Sequence, residues 1–171
     1  NNGTCYAFAS ATAIHLTLVK ELGDDAISFE DIKEDLIRKY GVNGNKTYEV
    51  SKNESKKYDY SVREVNETEA RIAIKNNRLC VARFEGKRLT FEKINSFFKK
   101  NPKDVLTEEK LNEIKVQIGK NEEEYYNKVD GHAVVLIGVN GHLRFLNSYG
   151  SNWGDNGFFR IANSFLLKLY F

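Results

Sequence analysis

Two strand-forming runs near the C-terminal end, "HAVVLIGV" from His132 and "HLRFLN" from His142, are joined by Asn140-Gly141. Asn-Gly between two such runs is the strongest short hairpin signal, because both residues tolerate the positive φ of a tight turn. A two-residue turn sets Val139 opposite His142, His132 opposite Tyr149, and Asn147 opposite Val134. Side chains two positions apart share a face of a strand. His132 and Asn147 therefore become diagonal neighbours, roughly 6–8 Å apart at the backbone. A slip of one residue would send them to opposite faces.

Around this hairpin the periodicities divide the chain. Residues from Thr4 to about Glu21 read as a helix whose apolar residues cover nearly its whole circumference, so it should be buried. Gly23 stops it. Ser28 and Asp31 mark the start of a second helix running to Tyr40, with Ile32, Leu36 and Ile37 on one face. Residues 41–66 are polar and read as loop. A short helix follows, carrying Ala70, Ile72, Ala73 and Ile74. "RLCVARF" reads as a buried strand, residues 90–100 and 107–119 as helices separated by Pro102, and 120–130 as charged loop. "GFFRIA" is a further strand. Helices first and strands mostly later predict an α+β fold. No linker composition interrupts it, so a single domain is expected over 1–171, with a helical lobe over about 1–76 and a sheet lobe over about 77–171.

The first helix carries Cys5 at its N-terminal end. A thiol there feels the positive end of the helix dipole, which favours thiolate. Backbone N–H groups at the same end can hold a developing oxyanion. A histidine steadied by a neutral amide can serve as the proton acceptor for such a thiol. Taken singly, each residue has an ordinary reading: Cys5 as a small core residue, His132 as a strand end, Asn147 as a turn former. Together they are the parts of a nucleophilic site.

The sequence resembles the papain-like cysteine peptidases. "NGTCYAFASA" resembles the family's nucleophile helix, "DGHAVVLIGV" its His-Ala-Val strand, and "LNSYGSNWGDNGFFRI" its Asn-Ser-Trp-Gly block. The intervals from Cys5 to His132 and Asn147, 127 and 142 residues, match that family's spacing. The resemblance implies a papain-like fold and a thiol-dependent peptide or amide hydrolase. It implies Cys5 as nucleophile, His132 as its ion-pair partner and Asn147 as the orienter of the ring. It further implies that Gly3 hydrogen-bonds an extended polypeptide substrate, that Ala133 lines the pocket for the second residue before the scissile bond, and that Trp153 borders the leaving group.

The departures are specific. The family's oxyanion glutamine lies six residues before the cysteine, ahead of Asn1 and outside this sequence. Asn2 stands where most members have a disulfide cysteine. Tyr6 follows the nucleophile in place of tryptophan, and Tyr149 replaces the tryptophan that shields the His–Asn hydrogen bond. The Gly-Gly substrate stretch has only "VNGN", around Gly44, as a counterpart. Two alternatives stay open: a deubiquitinase-like or acyl-transfer enzyme on the same fold, and a non-catalytic binding module that kept it.

Other features narrow the setting. A formal net charge of +2 with mixed signs gives no footprint for nucleic acid, and no apolar run is long enough to cross a bilayer. Two cysteines do not make a secreted disulfide framework. The four Asn-x-Ser/Thr sequons, at Asn2, Asn45, Asn53 and Asn66, fit chance in an Asn-rich chain, so an intracellular, reducing location is expected. The three histidines and two cysteines lack metal-ligand spacing, so neither metal nor cofactor is expected. Cys80 reads as core, His15 as packing and His142 as solvated. A chain starting at Asn1 without methionine suggests an upstream segment, a propeptide or further domains.

Overall fold

The structure is a computed structural model that describes residues 3–116, 129–165 and 167–170; the side chains of 85–90, 115–116 and 129–130 are not part of that description. The helical part comprises α1 (Cys5–Leu22), α2 (Phe29–Tyr40), α3 (Thr47–Ser55) and α4 (Glu67–Lys75), with α5 (Arg88–Lys100) and α6 (Glu108–Val116) inserted between strands. The strands are β1 (Glu64–Val65), β2 (Cys80–Lys87), β3 (Val105–Leu106), β4 (Val129–Gly138), β5 (Leu143–Leu146), β6 (Phe158–Ile161) and β7 (Leu167–Tyr170). Among the described residues they form one sheet in the order β1-β7-β2-β4-β5-β6-β3, antiparallel except for β3 beside β6. This is the α+β architecture expected from the sequence.

Local chemistry explains the helix ends. Asp31 N–H donates to the Ser28 hydroxyl at the start of α2. Asn66 and Glu69 form a reciprocal capping box on α4. Gly23, with φ of +58°, ends α1.

α1 is buried over Cys5, Tyr6, Ala7, Ala9, Ser10 and Ala11, and again at Ile14 and Leu18. Its last third departs from the expected all-round burial. Leu16, Val19 and Leu22 are exposed, so the apolar circumference is only partly covered toward the C-terminal end of the helix.

The expected loop over 41–66 is also corrected: it contains α3. Periodicity missed this helix because its buried face is mostly polar, with Thr47, Ser51, Glu54 and Ser55 beside the single aliphatic Val50. Those groups are satisfied instead by hydrogen bonds, such as Ser10–Ser51 at 2.8 Å and Tyr40 to Glu54 at 2.6 Å. The charged stretch 120–128 lies outside the described residues, as does the sequon asparagine Asn2.

Three apolar clusters divide the interior. One lies between the sheet and α4–α6 and contains Phe84, Phe98, Phe145, Trp153 and Phe159. A second joins α1, α2 and α3 through Tyr6, Ile14, Leu36 and Val50. The third is small and lies where α1 meets the sheet: Cys5, Ala9, Val81, Ala133, Val135 and Tyr170. Alternation along β2 and β4 produces this partition, with Val81, Ala133 and Val135 facing α1 and Cys80, Ala82 and Val134 facing away.

Candidate active site

β4 and β5 pair with Val135 opposite Leu146 and Leu136 opposite Phe145. One step further along the same register sets Asn147 opposite Val134. The turn itself differs from the expected two-residue form. Gly138 pairs with Arg144, so the connection is one residue longer, and a bulge between Leu136 and Gly138 takes up the difference. The register next to His132 is therefore the one derived from the Asn140-Gly141 signal, although the turn is not.

His132 Nε2 lies 2.8 Å from Asn147 Oδ1. Ser148 N–H donates to the same Oδ1, also at 2.8 Å. A backbone N–H only donates, so the Asn147 atom it meets is the carbonyl oxygen. That oxygen only accepts, so His132 Nε2 must carry a proton. In the neutral ring Nδ1 then holds the lone pair. Asn147 is buried at 4% exposure, which keeps water from competing for these bonds. Tyr149 stacks on the imidazole with ring centres 5.1 Å apart, and Phe84 lies at 6.5 Å, also stacked. Trp153 meets Tyr149 edge-on at 5.5 Å, and its indole N–H donates to Asn95 Oδ1.

Cys5 is the first residue of α1. Its N–H is among those a helix cannot satisfy internally, and it points out of the helix end. Cys5 packs in the same small cluster as Ala133, the residue after His132. The helix end thus abuts the strand segment that bears the imidazole. Neither cysteine is in a disulfide. Cys80 is fully buried on the opposite face of β2, and burial pushes its thiol up to about 12.

A cavity of about 430 Å³ opens beside Cys5. Gly3, residues 42–45 and Thr47 form one wall; Arg83, Gly131 and Ala133 form the other. The stretch "VNGN" thus reaches the thiol. A Cβ on Gly3 would sit 1.8 Å from the Val42 carbonyl oxygen, so only glycine allows the chain entering α1 to pass beneath this loop. Tyr6 completes the junction by donating its hydroxyl to the Gly41 carbonyl at 2.5 Å. Burial, and after it the neighbouring Cys5, raises the Tyr6 pKa, which keeps that hydroxyl a donor. Among the described residues no group of three or more His, Cys, Asp or Glu side chains converges as a metal site requires.

Two solved structures overlay on almost the whole chain. One is the bromelain protease from Ananas comosus in complex with the E64 inhibitor, with a TM-score of 0.61 and 16% identity over 99% of this chain and 88% of that one. The other is the cysteine protease CMS1MS2 of Carica candamarcensis, in complex with E-64, with a TM-score of 0.60 and 18% identity over 99% and 87%. The fold is papain-like. At these identities the likeness is one of fold. No protein-family model and no curated protein matches the sequence.

Within this papain-like fold, Gly3, Cys5 and Ala133 share one cavity, and His132 and Asn147 share one hydrogen bond. Trp153 is set back in the core at 8% exposure and reaches the imidazole through Tyr149. Sequence reasoning missed Arg83 and Thr47 as cavity residues. The signal for Arg83 was present: it is the one charged residue within "RLCVARF" after the apolar alternation begins, on the same face as Val81. No helix among the described residues is long and apolar enough to cross a membrane.

Proposed function

We propose that the protein is a thiol-dependent peptide hydrolase in which Cys5, His132 and Asn147 act as one unit. The observation that carries this reading is the double acceptance at Asn147 Oδ1, which assigns the His132 proton to Nε2. Nδ1 is then the ring atom that takes the Cys5 proton. The thiolate attacks the amide carbonyl carbon, and the oxyanion forms beside the Cys5 N–H at the positive end of α1. Imidazolium Nδ1–H protonates the amine as the C–N bond breaks, leaving a thioester on Cys5. Water then loses a proton to Nδ1 and attacks the thioester, and the thiol leaves protonated. The stacked Tyr149 covers the Nε2–Oδ1 bond through the cycle. The polypeptide substrate and the intracellular setting expected from the cysteine count belong to the same proposal.

Iodoacetamide at neutral pH tests the thiol chemistry. Cys5 should alkylate far faster than Cys80, whose buried thiol stays protonated, and alkylation should abolish hydrolysis of a mixed peptide pool. Equal, slow labelling of both cysteines would count against the reading.

A further inference from the structure

Asparagine followed by glycine is chemically labile, because a residue without a Cβ lets its nitrogen approach the preceding side-chain amide. The pair occurs four times in the chain, at Asn2-Gly3, Asn43-Gly44, Asn140-Gly141 and Asn156-Gly157. Asn2 lies outside the described residues. The fold treats the other three differently. Gly157 is buried, and its N–H donates to the Trp153 carbonyl at 2.7 Å, so that nitrogen is engaged. Asn140 is exposed, but Arg71 donates to the Val139 carbonyl at 3.1 Å and to the Gly141 carbonyl at 3.4 Å, pinning the chain on both sides of it. Asn43 and Gly44 are both exposed. Gly44 has φ of +90°, with no atom within 4 Å of where a Cβ would stand. Among the described residues neither the Asn43 side chain nor the Gly44 N–H is hydrogen-bonded. Both residues line the cavity beside Cys5.

We infer that Asn43 is a site of spontaneous modification, where conversion of its amide to aspartate and isoaspartate places a carboxylate in the wall of that cavity. The Gly44 nitrogen attacks Asn43 Cγ and forms a new C–N bond. The bond from Cγ to the side-chain nitrogen breaks, and ammonia leaves with the Gly44 proton. Water then opens the cyclic imide at either carbonyl. Cleavage at Cγ leaves aspartate. Cleavage at the main-chain carbonyl leaves isoaspartate, in which the chain runs through Cβ and is longer by a methylene. This chemistry goes beyond the hydrolase reading and proceeds whether or not the chain cleaves peptides. Its effects converge on the cavity. The new negative charge faces the wall formed by Gly131 and Ala133. The lengthening acts beside Gly3, where a Cβ would already lie 3.3 Å from Asn43 Cα. An anion approaching the Cys5 thiol is then repelled.

The test ages the full chain at mildly alkaline pH and follows each Asn-Gly pair by peptide mapping and isoaspartate-specific methylation. Asn43 should convert first, then Asn140, with Asn156 last. The charge is read at Cys5 with neutral iodoacetamide and anionic iodoacetate, two alkylating probes of similar shape whose rate ratio cancels changes in the thiol itself. Iodoacetate should lose about two- to fivefold against iodoacetamide at low ionic strength, the range of one charge across a solvated cavity. Asn43→Gln, whose longer side chain disfavours the imide, should hold its starting ratio over the same interval. Asn43→Asp should begin at the lowered ratio. Conversion at Asn140 or Asn156 as fast as at Asn43 overturns the assignment of the site. An unchanged ratio in the converted chain and in Asn43→Asp overturns the effect on the cavity. A fall in ratio that persists in Asn43→Gln assigns the charge to another residue and overturns the inference as well.

Discussion

Asn147 does two jobs with one oxygen. By accepting from Ser148 N–H it is locked against rotation of its amide, and by accepting from His132 Nε2 it holds the ring in one tautomer. Removing the carboxamide leaves the imidazole free to rotate and to place its proton on the wrong nitrogen. Asn147→Ala should lower kcat by about 10²-fold, the cost of misplacing a reacting group by roughly 1 Å. KM should change little, because Asn147 does not line the cavity beside Cys5. Steady-state kinetics on the mixed peptide pool checks both numbers. An unchanged kcat would mean that stacking by Tyr149 and Phe84 alone orients the ring.

Elements meet at the Cys5 end of α1, and the contact is made of backbone. The segment entering α1 runs under the Val42 carbonyl, with Tyr6 tied to Gly41 from below. Gly3→Ala cannot be absorbed by rotating a side chain, because the atom in the way is a peptide oxygen. The loop over 41–45 must lift, carrying one wall of the cavity with it. We expect a loss of about 1–3 kcal/mol in stability, as for other overpacked sites, and a rise in KM larger than the fall in kcat. Thermal unfolding and peptide kinetics on the same preparation measure both. A variant with native Tm and KM would show that residues 41–45 do not rest on Gly3. The hairpin illustrates a different kind of element behaviour. Its turn has one more residue than Asn140-Gly141 alone implies, and the bulge in β4 absorbs it before the register reaches Val135.

At the scale of the whole molecule, the helical part is held by a polar network as well as by its apolar cluster. Glu54, 3% exposed, is bonded by Lys39, Lys57 and Tyr40. Burial opposes its ionisation and is the largest single influence, but the two ammonium groups and the hydroxyl together outweigh it and hold the carboxyl at about 2. A carboxyl whose pKa is depressed on folding stabilises the fold above its unfolded value, near 4.5, and that stability is lost as pH falls toward about 2. After allowance for the solvent-exposed lysines it amounts to roughly 2–3 kcal/mol. Glu54→Gln should therefore lower Tm at pH 7 and lose less stability than the native chain between pH 5 and pH 2. Parallel melting curves for the two chains test the sign.

Local information determined a large part of this protein. The Ser28 cap, the Gly23 stop and the strand character of "HAVVLIGV" are short-range effects of side-chain oxygen placement, φ and alternation, and they appear where the residues say they should. The His132–Asn147 neighbourhood was legible too, because a hairpin converts sequence distance into register. Three features needed the folded chain. α3 is stabilised on its buried face by hydrogen bonds to partners on α1 and α2, so no apolar rhythm announces it. β1 and β3 have two residues each, too few to show alternation, and exist because β7 and β6 offer edges to pair with. β7, "LKLY", does alternate, but only pairing with β2 shows that Lys168 joins Arg83 on the face turned to α1. The charge of the cavity wall is likewise tertiary. A strand pattern tells which side Arg83 takes, and only the packing of α1 and residues 42–45 against the sheet makes that side a cavity beside a thiol.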